Sequence, residues 1–167
     1  MKLISLTQGL FAQVSDKDYA HLNTFKWCAH KVNNTYYAER ATARDANGKQ
    51  RMIKMHRVIM DVTDGRIKVD HINGDGLDNQ RPNLRVASTS QNGMNRRKHK
   101  TATSIYKGVC WHIRDLKWVA QIKADGRYHS LGYYDNEREA AEAYDSAAQA
   151  LYGQYASLNF PQEMVNR

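Results

Sequence analysis

Val69-Asp70-His71-Ile72-Asn73-Gly74, then Leu77-Asp78-Asn79, Arg81-Pro82-Asn83-Leu84-Arg85 and Ser88-Thr89-Ser90-Gln91-Asn92, is the stretch on which the fold of this 167-residue chain turns. Residues 67–70 read as a strand, the Gly- and Asn-rich run from Asn73 to Asn83 as a loop, and residues 84–87 as a second strand. Ser88 and Gln91 have the spacing of a capping box, in which each side chain accepts from the other residue's backbone amide, so a helix from about Thr89 to Lys98 should follow. Strand, loop, strand and helix within about thirty residues is the local order.

Four polar side chains in this stretch point to a common chemistry. Hydrolysing a phosphodiester needs a base for the attacking water, a divalent cation on the phosphate, and oxygen ligands to hold that cation. Mg²⁺ takes few protein ligands, all oxygen, and the carboxylate of Asp70 with the amide oxygen of Asn92 suits such sparse ligation. His71 has the proton affinity expected of a base near neutral pH. Arg96 follows Asn92 at i+4 on the same helix face, toward a phosphate. Asn73, Asn79 and Asn83 read as loop residues that satisfy turn backbone, Asn83 fastening the loop that presents His71. Adjacent strand residues face opposite ways, so the strand is expected to end at or before His71.

Outward from this stretch, residues 4–14 read as strands broken at Gly9. Residues 15–18 open a helix whose apolar face is Tyr19, Leu22 and Phe25. Asn47-Gly48 between residues 36–43 and 51–54 signals a hairpin. Residues 55–60 fit a short helix or a continued strand equally. Charge is uneven: residues 1–100 carry 18 Lys and Arg against 9 Asp and Glu, residues 101–167 carry 7 against 8. An excess of that sign implies an anionic partner such as nucleic acid or a membrane surface. Arg96-Arg97-Lys98-His99-Lys100 is the densest cluster and marks a basic linker at 99–104 that would track phosphates. The two cysteines, Cys28 and Cys110, form no paired motif, which excludes a disulfide scaffold and a zinc finger. No apolar run is long enough for a bilayer, and Met1–Val14 lacks the apolar core of a secretory signal. The expectation is an intracellular, cytoplasmic protein of a bacterial cell or phage host, monomeric, with no membrane partner and no small-molecule cofactor.

Beyond the linker, residues 106–113, 118–123 and 129–133 read as three antiparallel strands turning at Asp115-Leu116 and Asp125-Gly126. Asp135 is expected to cap a helix ending at Tyr152, with Gly153 as its stop. Ala140, Tyr144, Ala147, Ala148 and Leu151 form its packing stripe. Residues 101–134 hold 5 basic and 2 acidic side chains, and residues 135–152 hold 1 and 5. The strands are therefore basic and the helix acidic, as expected if the sheet faces phosphates.

The motifs quoted at the outset, with His71, Asn83 and Asn92 in that order and spacing, resemble HNH endonucleases of the phage homing type. That resemblance implies a ββα-metal fold at about 67–98, His71 as general base, Asp70 and Asn92 as ligands of Mg²⁺ or Mn²⁺, and Asn83 as the loop-fixing asparagine. Met55-His56-Arg57 resembles a segment preceding the motif in this subgroup; His56 is expected to be structural, approach to the site being the other reading. Tyr106-Lys107-Gly108-Val109, Lys117-Trp118-Val119-Ala120-Gln121-Ile122, Leu131-Gly132-Tyr133-Tyr134, residues 139–145 and Leu158-Asn159-Phe160-Pro161 resemble the plant Apetala/ethylene-response-factor DNA-binding domain. That likeness implies a sheet laid in the major groove, with Lys107, Gly108, Cys110, His112, Gln121 and Lys123 at contact positions. Arg114, Lys117 and Arg127 would position the backbone. Lys107, Cys110, His112 and Lys123 stand where the family places arginines. Trp118 is expected in the core.

The fold expected is α+β: an HNH nuclease domain at 1–98 that is β-rich at its N-terminus, the linker at 99–104, and at 105–162 a three-stranded antiparallel sheet packed on one helix. The function expected is a metal-dependent endonuclease acting on double-stranded DNA, a homing enzyme of a phage or mobile element. The alternatives are a non-catalytic DNA-binding regulator and, with less support, an RNA-binding protein.

Overall fold

A computed structural model describes residues 1–95 and 103–161. The chain is mixed α+β and divides into two compact units, Met1–Asn92 and Gly93–Arg167. The expected linker, apart from Thr103 and Ser104, and the expected helix end at 96–98 lie outside the described residues. No helix among the described residues is long and apolar enough to cross a membrane.

In the first unit β1 (Lys2–Ser5) and β2 (Phe11–Val14) form a hairpin around a 3₁₀ turn at Thr7–Gly9. Helix α1 (Asp16–Leu22) follows. Then come β3 (Cys28–Val32), β4 (Thr35–Ala41) and β5 (Met52–Lys54), which form one antiparallel sheet in that order. The β4–β5 connection closes in a turn over Asp45–Gly48, where the hairpin is expected: the Gly48 amide donates to the Asp45 carbonyl at 2.8 Å, and Asp45 Oδ1 accepts from the amides of Asn47 at 3.0 Å and Lys49 at 2.9 Å. Residues 55–59 are helical, giving α2 (Met55–Ile59). The core joins Ile4, Ala12 and Val14 of the hairpin to Leu22, Trp27, Met55, Ile59 and Leu84. Trp27 closes it by donating Nε1–H to the Leu22 carbonyl at 2.8 Å.

The decisive stretch folds as β6 (Lys68–His71), a two-residue strand β7 (Asp78–Asn79), a 3₁₀ turn at Arg81–Asn83, β8 (Leu84–Ala87) and α3 (Thr89–Met94). Strands β6 and β8 pair antiparallel, and β7 pairs parallel with β2, Asn79 opposite Val14. The capping box is present: Gln91 donates its amide to Ser88 Oγ at 3.1 Å, and Ser88 donates its own to Gln91 Oε1 at 2.8 Å.

The loop between β6 and β8 is tied down at both sides. Gly76 donates its amide to Thr35 Oγ1 at 2.9 Å and lies so close to β4 that a Cβ would meet the Tyr37 ring at 2.8 Å. At the other side Arg81 donates from Nε and Nη2 to the Asp18 carboxylate at 2.9 and 2.8 Å, and from its amide to Ser15 Oγ at 3.0 Å. A forked guanidinium–carboxylate pair of this kind fixes orientation as well as distance.

In the second unit β9 (Val109–His112), β10 (Lys117–Ala124) and β11 (Arg127–Tyr134) form an antiparallel sheet with β10 in the centre. Helix α4 (Glu137–Tyr152) covers one face. Its cap is Asn136, whose side chain accepts from the Arg138 amide, one residue beyond the expected Asp135; Asp135 instead pairs with Lys117 at 3.0 Å. Ala140, Ala141 and Ala148 are fully buried, so the helix lies close on the sheet, whereas Leu151 is exposed and leaves the expected stripe. Buried Asp145 holds the segment after the helix, accepting from the amides of Asn159 and Phe160 at 2.8 Å each and from Asn159 Nδ2 at 3.0 Å. Gly108 has φ +76, and a Cβ there would collide with the Tyr144 ring, so this position needs glycine twice over. Trp118 is half-buried against the core, edge-on to Trp111 at 5.0 Å.

Candidate active site

Strand β6 ends at His71, and the chain turns at once, the Gly74 amide donating to the His71 carbonyl at 2.9 Å. Asp70 and His71 are both buried, at 7 % and 5 % exposure. Asp70 lies opposite Arg85 on β8, which donates Nε–H and Nη2–H to Asp70 Oδ2 at 3.1 and 2.8 Å. A carboxylate this deep needs such a partner to remain charged. His71 meets a different set of groups. Its Nε2 is 3.4 Å from Asn79 Oδ1, and its ring stands perpendicular to that of His56 at 4.9 Å between centroids. Tyr37 touches both imidazoles, with centroids 5.6 Å from His56 and 5.7 Å from His71.

Burial lowers the proton affinity of His71 below its ordinary range; Asn79, then Asp70, Asp75 and Asp78, pull the other way without reversing the shift. His56 is pushed down to about 3 by burial first, then by His71, Lys54 and Arg57. Tyr37 is raised by burial and by Asp70. The two imidazoles are therefore neutral at pH 7, and a neutral imidazole can take a proton.

Asn83 binds the loop from inside. Its Oδ1 accepts from the Asn73 amide at 3.0 Å, and its Nδ2 donates to Asn73 Oδ1 at 3.0 Å and to the Asp78 carbonyl at 2.7 Å. The Ile72 amide also donates to the Asn83 carbonyl at 2.9 Å, joining the residue after His71 to the start of β8. Asn92 lies one turn into α3, half-buried, its amide bonded to the Ser88 carbonyl at 2.9 Å. Among the described residues no group of three or more His, Cys, Asp or Glu could hold a metal ion. Asp70 and Asn92 offer hard oxygen donors only, a set that suits Mg²⁺ or Mn²⁺ rather than a thiophilic ion.

The sequence favours a structural role for His56, with approach to the site as the other reading, and assigns Asn79 to turn backbone alone. Both contact His71, and Tyr37 and Arg85 complete the surroundings of His71 and Asp70. The hint for Asn79 was its place inside the motif. Tyr37 carried no signal, since only the docking of the loop on β4 brings it near. Arg96, Arg97 and Lys98 lie outside the described residues.

In the second unit, alternation along β10 turns Trp118, Ala120 and Ile122 toward α4 and Lys117, Val119, Gln121 and Lys123 to the opposite face. Gln121 reaches Cys110 Sγ at 3.8 Å, His112 stands edge-on to Tyr133 at 5.7 Å, and Lys123 lies over Tyr128. Exposed Arg114 and Arg127 flank this face at the strand ends. Lys107 departs from the expectation. Its ammonium donates to the Met94 carbonyl at 2.6 Å and lies 5.8 Å from the ring centroid of Tyr144 on α4, and burial pushes it down to about 8. Asn159 fixes its backbone by accepting from the amide at 2.8 Å and donating to the carbonyl at 3.1 Å.

Two family models match this chain: HNH endonuclease over residues 54–94 and AP2 domain over residues 104–154. The chain belongs to the HNH endonuclease family and carries an AP2 domain after the HNH segment. An uncharacterised HNH endonuclease of Acanthamoeba polyphaga mimivirus is 29 % identical over 94 % of this chain and 79 % of its own length. Protein 3.8 of Escherichia phage T7 is 32 % identical over 53 % of this chain and 72 % of its own. Dehydration-responsive element-binding protein 2D of Arabidopsis thaliana is 43 % identical over 47 % of this chain and 40 % of its own.

Proposed function

We propose that this protein is a metal-dependent endonuclease that hydrolyses phosphodiester bonds in double-stranded DNA, as a homing enzyme of a phage or mobile element. The observation that carries the proposal is His71: a buried imidazole at the end of β6, next to an Asp70 carboxylate held by Arg85 and fixed by a loop that Asn83 ties together. His71 takes the proton of the attacking water. Asp70 and Asn92 would hold Mg²⁺ or Mn²⁺ through oxygen, and a bound divalent ion supplies polarisation of the scissile phosphate and charge compensation. Arg85 holds the Asp70 carboxylate in one orientation, and Asn83 keeps the His71 turn from relaxing. Arg96, Arg97 and Lys98 would follow the phosphates toward the AP2 domain. There Gln121, Lys123 and His112 form the face that meets the duplex, with Arg114 and Arg127 at its margins. Lys107 is not assigned to that face.

The test is supercoiled plasmid incubated with the full chain and Mg²⁺ or Mn²⁺, with chelator as control. Metal-dependent nicking that disappears in His71→Ala while DNA binding persists is the expected result. Equal cleavage by His71→Ala removes the assigned base. Binding without cleavage under every metal condition leaves a DNA-binding protein in place of the enzyme.

A further inference from the structure

We infer that Asn79 is a positioning residue that selects the tautomer of His71, placing the proton on Nε2 and the lone pair on Nδ1. The inference rests on His71 acting as the base. It starts from how the Asn79 amide must be oriented. Asn79 is 1 % exposed, and its Nδ2 donates to the Leu77 carbonyl at 3.1 Å and the Gly76 carbonyl at 3.4 Å. Two carbonyl oxygens on one side of an amide fix which end is nitrogen, because an oxygen placed there would face oxygen. The other end, Oδ1, is therefore what lies 3.4 Å from His71 Nε2. An amide oxygen only accepts, so a neutral imidazole satisfies this contact by carrying its hydrogen on Nε2.

The surroundings hold this arrangement in place. The parallel pairing of β7 with β2 anchors Asn79 at Val14, in the interior of the first unit. Tyr37 and His56 pack on the His71 ring and limit its rotation about Cβ–Cγ, which would otherwise put Cε1 in the place of Nε2 against Asn79 and Cδ2 in the place of Nδ1. The lone pair of Nδ1 is then the acceptor for the proton of water. Flipping the tautomer would present N–H where the mechanism needs a base, with no change in the residues present.

The experiment is long-range ¹H–¹⁵N correlation spectroscopy of the full chain labelled with ¹⁵N-histidine at about pH 8, where ordinary imidazoles are neutral. The His71 signals are assigned by their loss in His71→Ala. Wild type is expected to show the Nε2–H pattern. Asn79→Leu removes both the acceptor and the loop bonds, and is expected to move His71 toward Nδ1–H and to lower kcat by roughly 10-fold to 100-fold, with KM little changed. Asn79→Asp keeps the acceptor while losing the two donated loop bonds, so it is expected to retain Nε2–H and to recover most of the lost kcat. If Asn79 only anchors the loop, Asp and Leu are equally impaired and neither changes the tautomer; that outcome overturns the inference, as does Nδ1–H in wild type. Should Asn79→Leu fail to fold, Asn79→Asp decides alone: a shift to Nδ1–H refutes the assignment. Cleavage that survives in His71→Ala instead strikes the functional reading itself, and the two failures are separate.

Discussion

Replacing His56 by Phe should flatten the acid side of the stability profile of the first unit by an amount that its burial fixes. His56 is 5 % exposed, and its proton affinity falls from an ordinary value of 6.5 to about 3 through burial first, then His71, Lys54 and Arg57. The folded value lies below the unfolded one, so below about pH 6.5 the unfolded chain gains a proton that the folded chain refuses. Stability is then complete above pH 6.5 and is lost as pH falls toward 3. Integrating the linkage relation for this one residue gives a loss of about 2 kcal/mol between pH 7 and pH 5. His71, lowered in the same direction, adds to it. Phe keeps an aromatic ring against Tyr37 and His71 and cannot take a proton. The assay is urea unfolding followed by Trp27 fluorescence in a Trp111→Phe/Trp118→Phe background, since Trp27 is the one tryptophan of the first unit. The expected outcome is a wild-type loss between pH 7 and 5 that exceeds the His56→Phe loss by about 2 kcal/mol. Equal losses in the two proteins would show that His56 is solvated or charged in the folded state, and the description of His56 as a buried neutral imidazole would fall.

Asn83→Ala removes three side-chain hydrogen bonds from a half-exposed position and should cost about 2 kcal/mol, with faster amide exchange across residues 72–79 by mass spectrometry. Arg85→Met leaves the Asp70 carboxylate buried without its guanidinium and should cost about 3 kcal/mol or more by the same urea assay, much of it recovered in Asp70→Asn/Arg85→Met. Gly108→Ala forces a Cβ into the Tyr144 ring at a positive φ, and should lower the melting transition of the second unit by a ΔΔG of about 2 kcal/mol or more, with the first unit unaffected. On duplex DNA, Lys123→Ala should reduce the salt slope of binding by about 1, whereas Lys107→Ala, on the helix side, should leave it unchanged; fluorescence anisotropy over a salt series measures both.

The sequence by itself determined the parts whose signals are local. The capping box at Ser88 and Gln91 needs only residues three apart, and the turn at Asp125-Gly126 needs only neighbours, so both were legible in the text. The strand–loop–strand order around His71 was legible for the same reason, and the charge contrast between the second unit's strands and its helix is a matter of counting. Asn83 was also readable as a loop fastener, because its partners Asn73 and Asp78 belong to the same loop. Residues 55–60 were ambiguous, since six residues carry too little periodicity to separate helix from strand.

Tertiary structure alone decided which side chains surround the imidazole and the carboxylate. Tyr37 comes from a strand more than thirty positions earlier in the chain, and nothing near it in sequence marks it. It reaches His71 because Gly76 lets the loop lie against β4. His56 becomes a buried neighbour of His71 only through the packing of α2, and Lys107 is held by the Met94 carbonyl and by Asn159, neither of which is near it in sequence. Local sequence specifies conformation through short-range sterics and hydrogen bonds. The proton affinity and orientation of a buried group depend on what the rest of the chain excludes from water around it.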